Sequence, residues 1–412
     1  MRDDKEHVYP ITAQARFHYL DVIRGLALLG ILLANMSAFS QPVIYSELLN
    51  IELWSTSIDH FAATMVDWIV QGKFYTTFSF LFGVGFMIFL SKAEAKGYSP
   101  QFLFTKRVSV LLVFGLIHAT LIWWGDILVT YAVCGFLLML FYRMNARKVF
   151  IWAISLWGII IFLNTALTLV QVYMESSYSE FISDLDGEYR ILYEQAFMIY
   201  GEGSWSSIIT RNIADWNFMV ANMLIFAPFV ILPMFLLGVY AYKRGIIQEP
   251  QQHLPWLRKL WLTSLVLGVV FSIIKYAYSS MDATSAGIGS FIGETIGDAS
   301  LSICYITTVV LLYLQGKASS LFNALAWAGR MALTNYIMQS IVCTVLFYNF
   351  GFGLYGQVGA ASCVLIALIL FGIQLYTSRW WLTRYQWGPA EWLWRKLTYG
   401  SLQPQEKRDS SS

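Results

Sequence analysis

His118 and Asp126 stand eight residues apart across a short polar break, Trp123-Trp124-Gly125-Asp126, inside an otherwise apolar stretch. A neutral imidazole beside a carboxylate is the usual general-base arrangement, because the carboxylate stabilises the imidazolium formed on proton transfer. Other polar residues also interrupt apolar runs, where an ionisable or amide group is costly and needs a partner. They are Asn35, and then Asp67 and Lys73, six residues apart. At 1.5 Å per residue Lys73 lies roughly 9 Å beyond Asp67 and on another helix face, so no direct pair along one helix is expected. The helix directions derived below put Asn35, Asp67, Lys73, His118 and Asp126 in the outer half of the membrane, from four different spans. They are the candidates for an outward-opening pocket. His118 would be its base, Asp67 or Asp126 the carboxylate, and Lys73 a charge that disfavours the imidazolium until an acceptor binds.

A second set suits an anion. Arg24, Arg107 and Arg330 fall at the inner ends of different apolar runs, where planar guanidinium forks bind phosphate or a CoA-type anion through charge-assisted bonds. Snorkelling to lipid headgroups is the competing use of such arginines. Asn335 and Gln339, four apart, share a face of the run that Arg330 opens and join the binding candidates. Asp21 and Arg24, three apart, suit a local ion pair. Glu294 and Asp298 stack at i,i+4 and would repel unless one is protonated or a cation joins them, so a tie to Lys73 or Lys275 is expected. Cys134, Cys304, Cys343 and Cys363 all lie in apolar runs without CxxC spacing. They read as packing thiols, and neither a disulfide framework nor a metal site is expected.

The elements carrying these residues follow from composition. Hydrophobic residues make up 57% of the 412 and charged residues 13%, against about 45–50% and 25% in an ordinary soluble domain. The mean hydropathy is +0.57. A soluble or disordered chain is excluded, and a net charge of +2 leaves no general basic surface for nucleic acid. Runs near the 20 apolar residues that cross a bilayer occur at about 20–40, 64–91, 103–124, 126–143, 148–173, 214–242, 257–278, 286–314, 324–349 and 358–378. The fold class is therefore all-α, a polytopic membrane helix bundle of about ten transmembrane helices.

Every second connection is rich in Lys and Arg, and the longest alternate one, 174–213, carries seven acids against Arg190 and Arg211. By the positive-inside rule both termini are cytoplasmic. The expected organisation is a cytoplasmic arm at 1–19, a bundle at 20–378 with an outer loop at 174–213, an amphipathic interfacial helix at 379–400, and a disordered tail at 401–412. Residues 51–63 read as an interfacial helix or outer loop, followed by one long span from Asp67 to about 90. Gly83 and Gly85 on that span read as packing glycines.

Several stretches resemble the bacterial YeiB-type family. They are Leu20-Asp21-Val22-Ile23-Arg24-Gly25 with the later Asn35, Gly72-Lys73-Phe74, and Leu81-Phe82-Gly83-Val84-Gly85. His118 with Gly125-Asp126-Ile127-Leu128, Gly329-Arg330-Met331-Ala332-Leu333-Thr334-Asn335-Tyr336 and Gly388-Pro389-Ala390-Glu391-Trp392 complete the match, which covers nearly the whole chain. The family is distantly similar to membrane acyltransferases such as heparan-α-glucosaminide N-acetyltransferase. That similarity implies a cytoplasmic acyl-CoA donor, for example acetyl-CoA, held by the basic inner mouth. It also implies a small-molecule or glycan acceptor on the outer side, and a catalytic His in the outer loop shortly before the Asp that opens the second span. His60 precedes Asp67 by seven residues, a different spacing, so His60 and His118 both stand as bases. The competing reading is a transporter or exporter of a small or lipid-like solute, using the same polar groups with Glu294 and Asp298 for coupling. The expected setting is multi-pass in the bacterial inner membrane, among lipids, with a homodimer as a further expectation and no nucleic acid partner.

Overall fold

A computed structural model describes residues 17–400 except 55, 174, 280 and 282–285, and leaves out the side chains of 175–184 and 222. Most of the arm at 1–19 and all of the tail at 401–412 lie outside the described residues. The elements are α1 (His18–Ser40), α2 (Val43–Leu48), α3 (Ser57–Ile69), α4 (Lys73–Ala95), α5 (Pro100–Ile117), α6 (Leu128–Leu138), α7 (Ala146–Tyr173) and α8 (Glu175–Glu202). They continue as α9 (Trp205–Val230), α10 (Leu232–Lys243), α11 (Leu254–Ser279), α12 (Phe291–Leu314), α13 (Ser319–Arg330), α14 (Ala332–Phe347), α15 (Ala360–Leu382) and α16 (Pro389–Tyr399). There is no strand among the described residues. Among the described residues, eight helices are long and apolar enough to cross a membrane, and two shorter apolar helices, Leu128–Phe141 and Ala332–Phe347, occupy the stretches expected for the fourth and ninth spans. The protein is an all-α polytopic helix bundle.

Several boundaries differ from expectation. The span read from Asp67 onward is broken between α3 and α4, where Gly72 takes φ +83°. That conformation favours glycine, and a Cβ there would meet the Asp298 carboxylate at 1.6 Å. The run 324–349 breaks at Met331 into α13 and α14. The run 214–242 is divided at Ile231, between Pro228 inside α9 and Pro233 at the start of α10. Within the stretch 174–213, read as a loop, Glu175–Glu202 forms α8, which contains no proline, and α9 begins at Trp205. The stretch 379–400 is the end of α15, a link, and α16, which starts with Pro389 in its first turn, where a missing N–H costs nothing.

α1 is the central helix and packs on α4, α12, α13, α14 and α15. Its crossing with α13 is close because glycine faces backbone on both sides. A Cβ on Gly25 would lie 2.1 Å from Leu325 O, and one on Gly329 would lie 1.9 Å from Asp21 O. Small residues at such crossings let van der Waals packing hold helices together in lipid, where no hydrophobic drive separates one helix from another. α4 packs on α10 through Gly83, which faces Phe235 O. Gly85 has nothing within 4 Å of its Cβ position. The two glycines, alike in sequence, do different things.

Candidate functional site

A cavity of about 380 Å³ runs into the bundle between α1, α4, α5, α6, α13, α14 and α16. Its basic end is formed by Arg24, Lys92, Arg107, Arg330 and Arg395. Arg107 stacks over Trp394 with Cζ 3.7 Å from the ring centroid, and Arg395 over Trp387 at 3.9 Å. Trp394 in turn donates its indole N–H to Arg107 O at 2.8 Å. Arg24 Nη1 lies 2.5 Å from Asp21 Oδ1, the local pair expected from their spacing. The walls are apolar and aromatic, with Phe78, Phe82, Phe86 and Gly85 on one side and Leu111 and Tyr131 on another.

α16 closes the basic end through Glu391. Its carboxylate accepts Leu333 N–H at 2.7 Å, Thr334 N–H at 3.2 Å and the Thr334 hydroxyl at 2.5 Å. These are the free donors at the start of α14, which a carboxylate satisfies well. Burial pushes the Glu391 carboxyl up and the Thr334 and backbone hydrogen bonds oppose it. The stretch that reads as a plain interface anchor is thus part of the cavity wall.

The inner end of the cavity is bounded by Ile127, Leu128 and Tyr336, and behind them lies His118. α5 passes into a π turn, His118–Ile122, a widened geometry that recurs at functional sites. Asn212 of α9 donates to the turn's carbonyls at Ala119 (2.7 Å) and Thr120 (3.0 Å). α9 is anchored nearby: Asp215 accepts from Tyr45 Oη at 2.6 Å and Tyr200 Oη at 2.7 Å, and Arg211 Nε lies 2.8 Å from it. Burial and the Asp215 charge push the Tyr45 phenol up, so it stays a donor.

His118 Nδ1 lies 2.8 Å from Asp126 Oδ2, and Nε2 lies 2.8 Å from Ser340 Oγ. The other oxygen of Asp126 accepts Val129 N–H at 2.8 Å, at the start of α6. All three side-chain-bearing residues are buried. The carboxylate orients the ring and can stabilise its charged form, while the opposite nitrogen faces a hydroxyl. The arrangement can move a proton between Ser340 and His118.

Of the residues singled out from sequence, His118 and Asp126 are brought together, and Arg24, Arg107 and Arg330 line one cavity. Asp67 and Lys73 lie elsewhere. Lys275 Nζ is 3.0 Å from Asp67 Oδ1 and Tyr276 donates to its other oxygen. Lys73 Nζ is 2.7 Å from Asp298 Oδ1 and donates to Asp67 O at 3.0 Å, a contact that the turn at Gly72 allows and a continuous helix would not. The ring nitrogens of His118 bond Asp126 and Ser340, whereas Lys73 and Asp67 are taken up by Asp298, Lys275 and Tyr276. Asn35 is half-buried on α1 and makes no hydrogen bond to the His118 group. His60 is half-buried on α3, 3.4 Å from Glu52. Asn335 and Gln339 share a face but tie helices rather than line the cavity. Asn335 Nδ2 donates to Ser378 Oγ at 2.9 Å and Gln339 Nε2 to Gln374 Oε1 at 2.9 Å. The cavity is lined by the basic residues and by none of Asn35, Asp67, Lys73, His118 and Asp126, the residues expected around an outward-opening pocket.

Ser340, Glu391 and Asn212 escaped the sequence reading. Ser340 carries only the weak signal of lying four residues beyond Tyr336 on one helix face. Glu391 could have been noticed as a carboxylate just after Gly388-Pro389 in an aromatic, basic segment.

A protein-family model described as "Protein of unknown function (DUF418)" matches residues 241–401. YxaH of Bacillus subtilis (strain 168) is 38% identical over 97% of this chain and 98% of its own length. A 39.9 kDa protein from the amylase 3' region of Bacillus acidopullulyticus is 29% identical over 96% and 97%. YeiB of Escherichia coli (strain K12) is 27% identical over 93% and 97%. With full-length similarity to these proteins and a family match across its C-terminal part, the chain belongs to the YeiB-type family of bacterial membrane proteins.

Proposed function

We propose that the protein is an integral membrane acyltransferase, taking an acyl group from a cytoplasmic acyl-CoA and passing it to an acceptor presented from the outer side. The observation that carries this reading is the cavity itself: cations at one end, apolar walls between, and His118 with Asp126 behind its inner end. The residues fit such a donor. Arg24, Lys92, Arg107, Arg330 and Arg395 would hold its phosphates by charge-assisted bonds. The narrow apolar section would take the pantetheine arm and a short acyl chain. The donor supplies an activated thioester carbonyl; His118 would hold and return the proton that the transfer displaces.

Calorimetry with acetyl-CoA on the purified protein in nanodiscs tests it. Gly85→Trp should fill the open space in the wall and weaken binding at least about tenfold, equivalent to roughly 1.4 kcal/mol. Arg330→Lys should weaken it less, keeping the charge but losing the fork. Equal affinity in wild type, Gly85→Trp and Arg330→Ala would remove the cavity as the donor site.

The reading needs the basic end in the cytoplasm, with the protein in the bacterial inner membrane. Asp186 and Lys96 are both exposed, and the four native cysteines are buried, giving low background. Asp186→Cys should react with an impermeant maleimide in intact cells and Lys96→Cys should not; the reverse pattern would invert the orientation. The buried Lys73–Asp298 pair favours a second reading, a transporter coupled through that pair. Proton-dependent solute uptake into proteoliposomes, lost in Asp298→Asn, would select it.

A further inference from the structure

We propose that Ser340 is the nucleophile of a Ser340–His118–Asp126 triad that carries the acyl group as a serine ester between donor and acceptor. The identity of the donor rests on the acyl-CoA reading above, whereas the activation of Ser340 does not. Serine, imidazole and carboxylate are linked in the order that activates a serine: Oγ to Nε2 at 2.8 Å, Nδ1 to Oδ2 at 2.8 Å. The carboxylate is itself held by Val129 N–H, so the ring is fixed in the orientation a base needs. Ser340 Oγ has an alternative acceptor, Tyr336 O, but at a longer 3.4 Å.

The same turn of α14 supplies what else the chemistry requires. Tyr336 is 6% exposed, lines the cavity, and its ring centroid lies 5.0 Å from that of His118. Its buried hydroxyl lies by the Ile127 N–H but has no acceptor for its own proton among the described residues, and an orphaned buried donor is costly. A carbonyl oxygen entering from the cavity would satisfy it, and negative charge developing on that oxygen would be stabilised. The ring stands between the cavity, which it lines, and His118.

The step balances without another reactant. Ser340 Oγ attacks the thioester carbonyl and gives its proton to His118 Nε2. The C–S bond breaks and the departing sulfur takes that proton, leaving an ester on Ser340 and a free thiol. An acceptor hydroxyl or amine then loses its proton to Nε2 and attacks the ester. Ser340 Oγ leaves with the proton, and the triad is restored.

The test uses the full-length protein in nanodiscs with two probes, a fluorophosphonate and acetyl-CoA with rapid acid quench, read by intact mass and peptide mapping. Both should add their group to Ser340. The adduct should vanish in Ser340→Ala, form roughly 10²-fold more slowly in His118→Gln, and reappear as a thioester with acetyl-CoA in Ser340→Cys. Tyr336→Phe keeps the ring but should slow acetylation by roughly 10²-fold. Phosphonylation of Ser340 without acetylation supports the triad and removes acyl-CoA as donor. Acetyl-CoA turnover with no adduct at Ser340 from either probe overturns the nucleophile and leaves the acyltransferase standing, with His118 acting directly on the acceptor. Adducts only at other serines overturn it, and a folded protein showing neither adduct nor turnover overturns both readings.

Discussion

His118→Ala is expected to lower kcat for acyl transfer by roughly 10²–10⁴-fold, measured as thiol release from acyl-CoA by purified protein. The imidazole bonds both Asp126 and Ser340, so its removal cuts the proton route wherever the acyl group rests. The cations that would hold the donor line the other end of the cavity, so acetyl-CoA affinity should stay within a few-fold of wild type. Truncation also leaves Asp126 with Val129 N–H as its remaining bond, which costs stability. His118→Gln, which fills most of the space and keeps an amide for hydrogen bonding, separates loss of chemistry from loss of fold. Asp126→Asn should also slow turnover, because an amide can present its N–H to Nδ1 and favour the wrong tautomer. Unchanged turnover in folded His118→Gln would end the assignment of His118 as the base.

Lys73→Met is expected to destabilise the protein by about 3–5 kcal/mol, because it leaves the Asp298 carboxylate buried without its cation. Lys73 is 2% exposed, Asp298 is 6% exposed, and their charged atoms are 2.7 Å apart. The pair also holds the break between α3 and α4, since Lys73 Nζ bonds Asp67 O and Ser302 Oγ donates to Lys73 O. Replacing both charges, as Lys73→Met with Asp298→Asn, should recover most of the loss. Thermal unfolding in nanodiscs reads the difference: the single variant should melt well below the double. If the two melt together, the pair makes no net contribution to holding these helices.

The helices themselves were legible in the sequence because the signal is local. A run of about 20 apolar residues satisfies its own backbone hydrogen bonds and its own transfer from water, whatever its neighbours do. The Asp21–Arg24 pair and the shared face of Asn335 and Gln339 were legible for the same reason, since helix geometry alone places them. Helix breaks leave a weaker mark in the sequence. Gly72 and Met331 interrupt runs whose hydropathy is continuous, and whether a chain bends there depends on what packs against it. Asp298, for instance, occupies the space a side chain at residue 72 would need.

The site was legible only as an inventory of polar residues. His118 and Asp126 are eight residues apart, but Ser340 is 222 residues from His118, and Lys275 is 208 from Asp67. Hydropathy says that such groups need partners without saying which, because each helix can turn any face to any neighbour at similar cost in lipid. The choice was made by interhelical packing: Gly25 and Gly329 bring α1 onto α13, Asn212 holds the π turn, and Glu391 holds the start of α14. Those contacts separate Asp67 and Lys73 from His118, seat Ser340 on it, and leave open beside Gly85 the space that becomes the cavity.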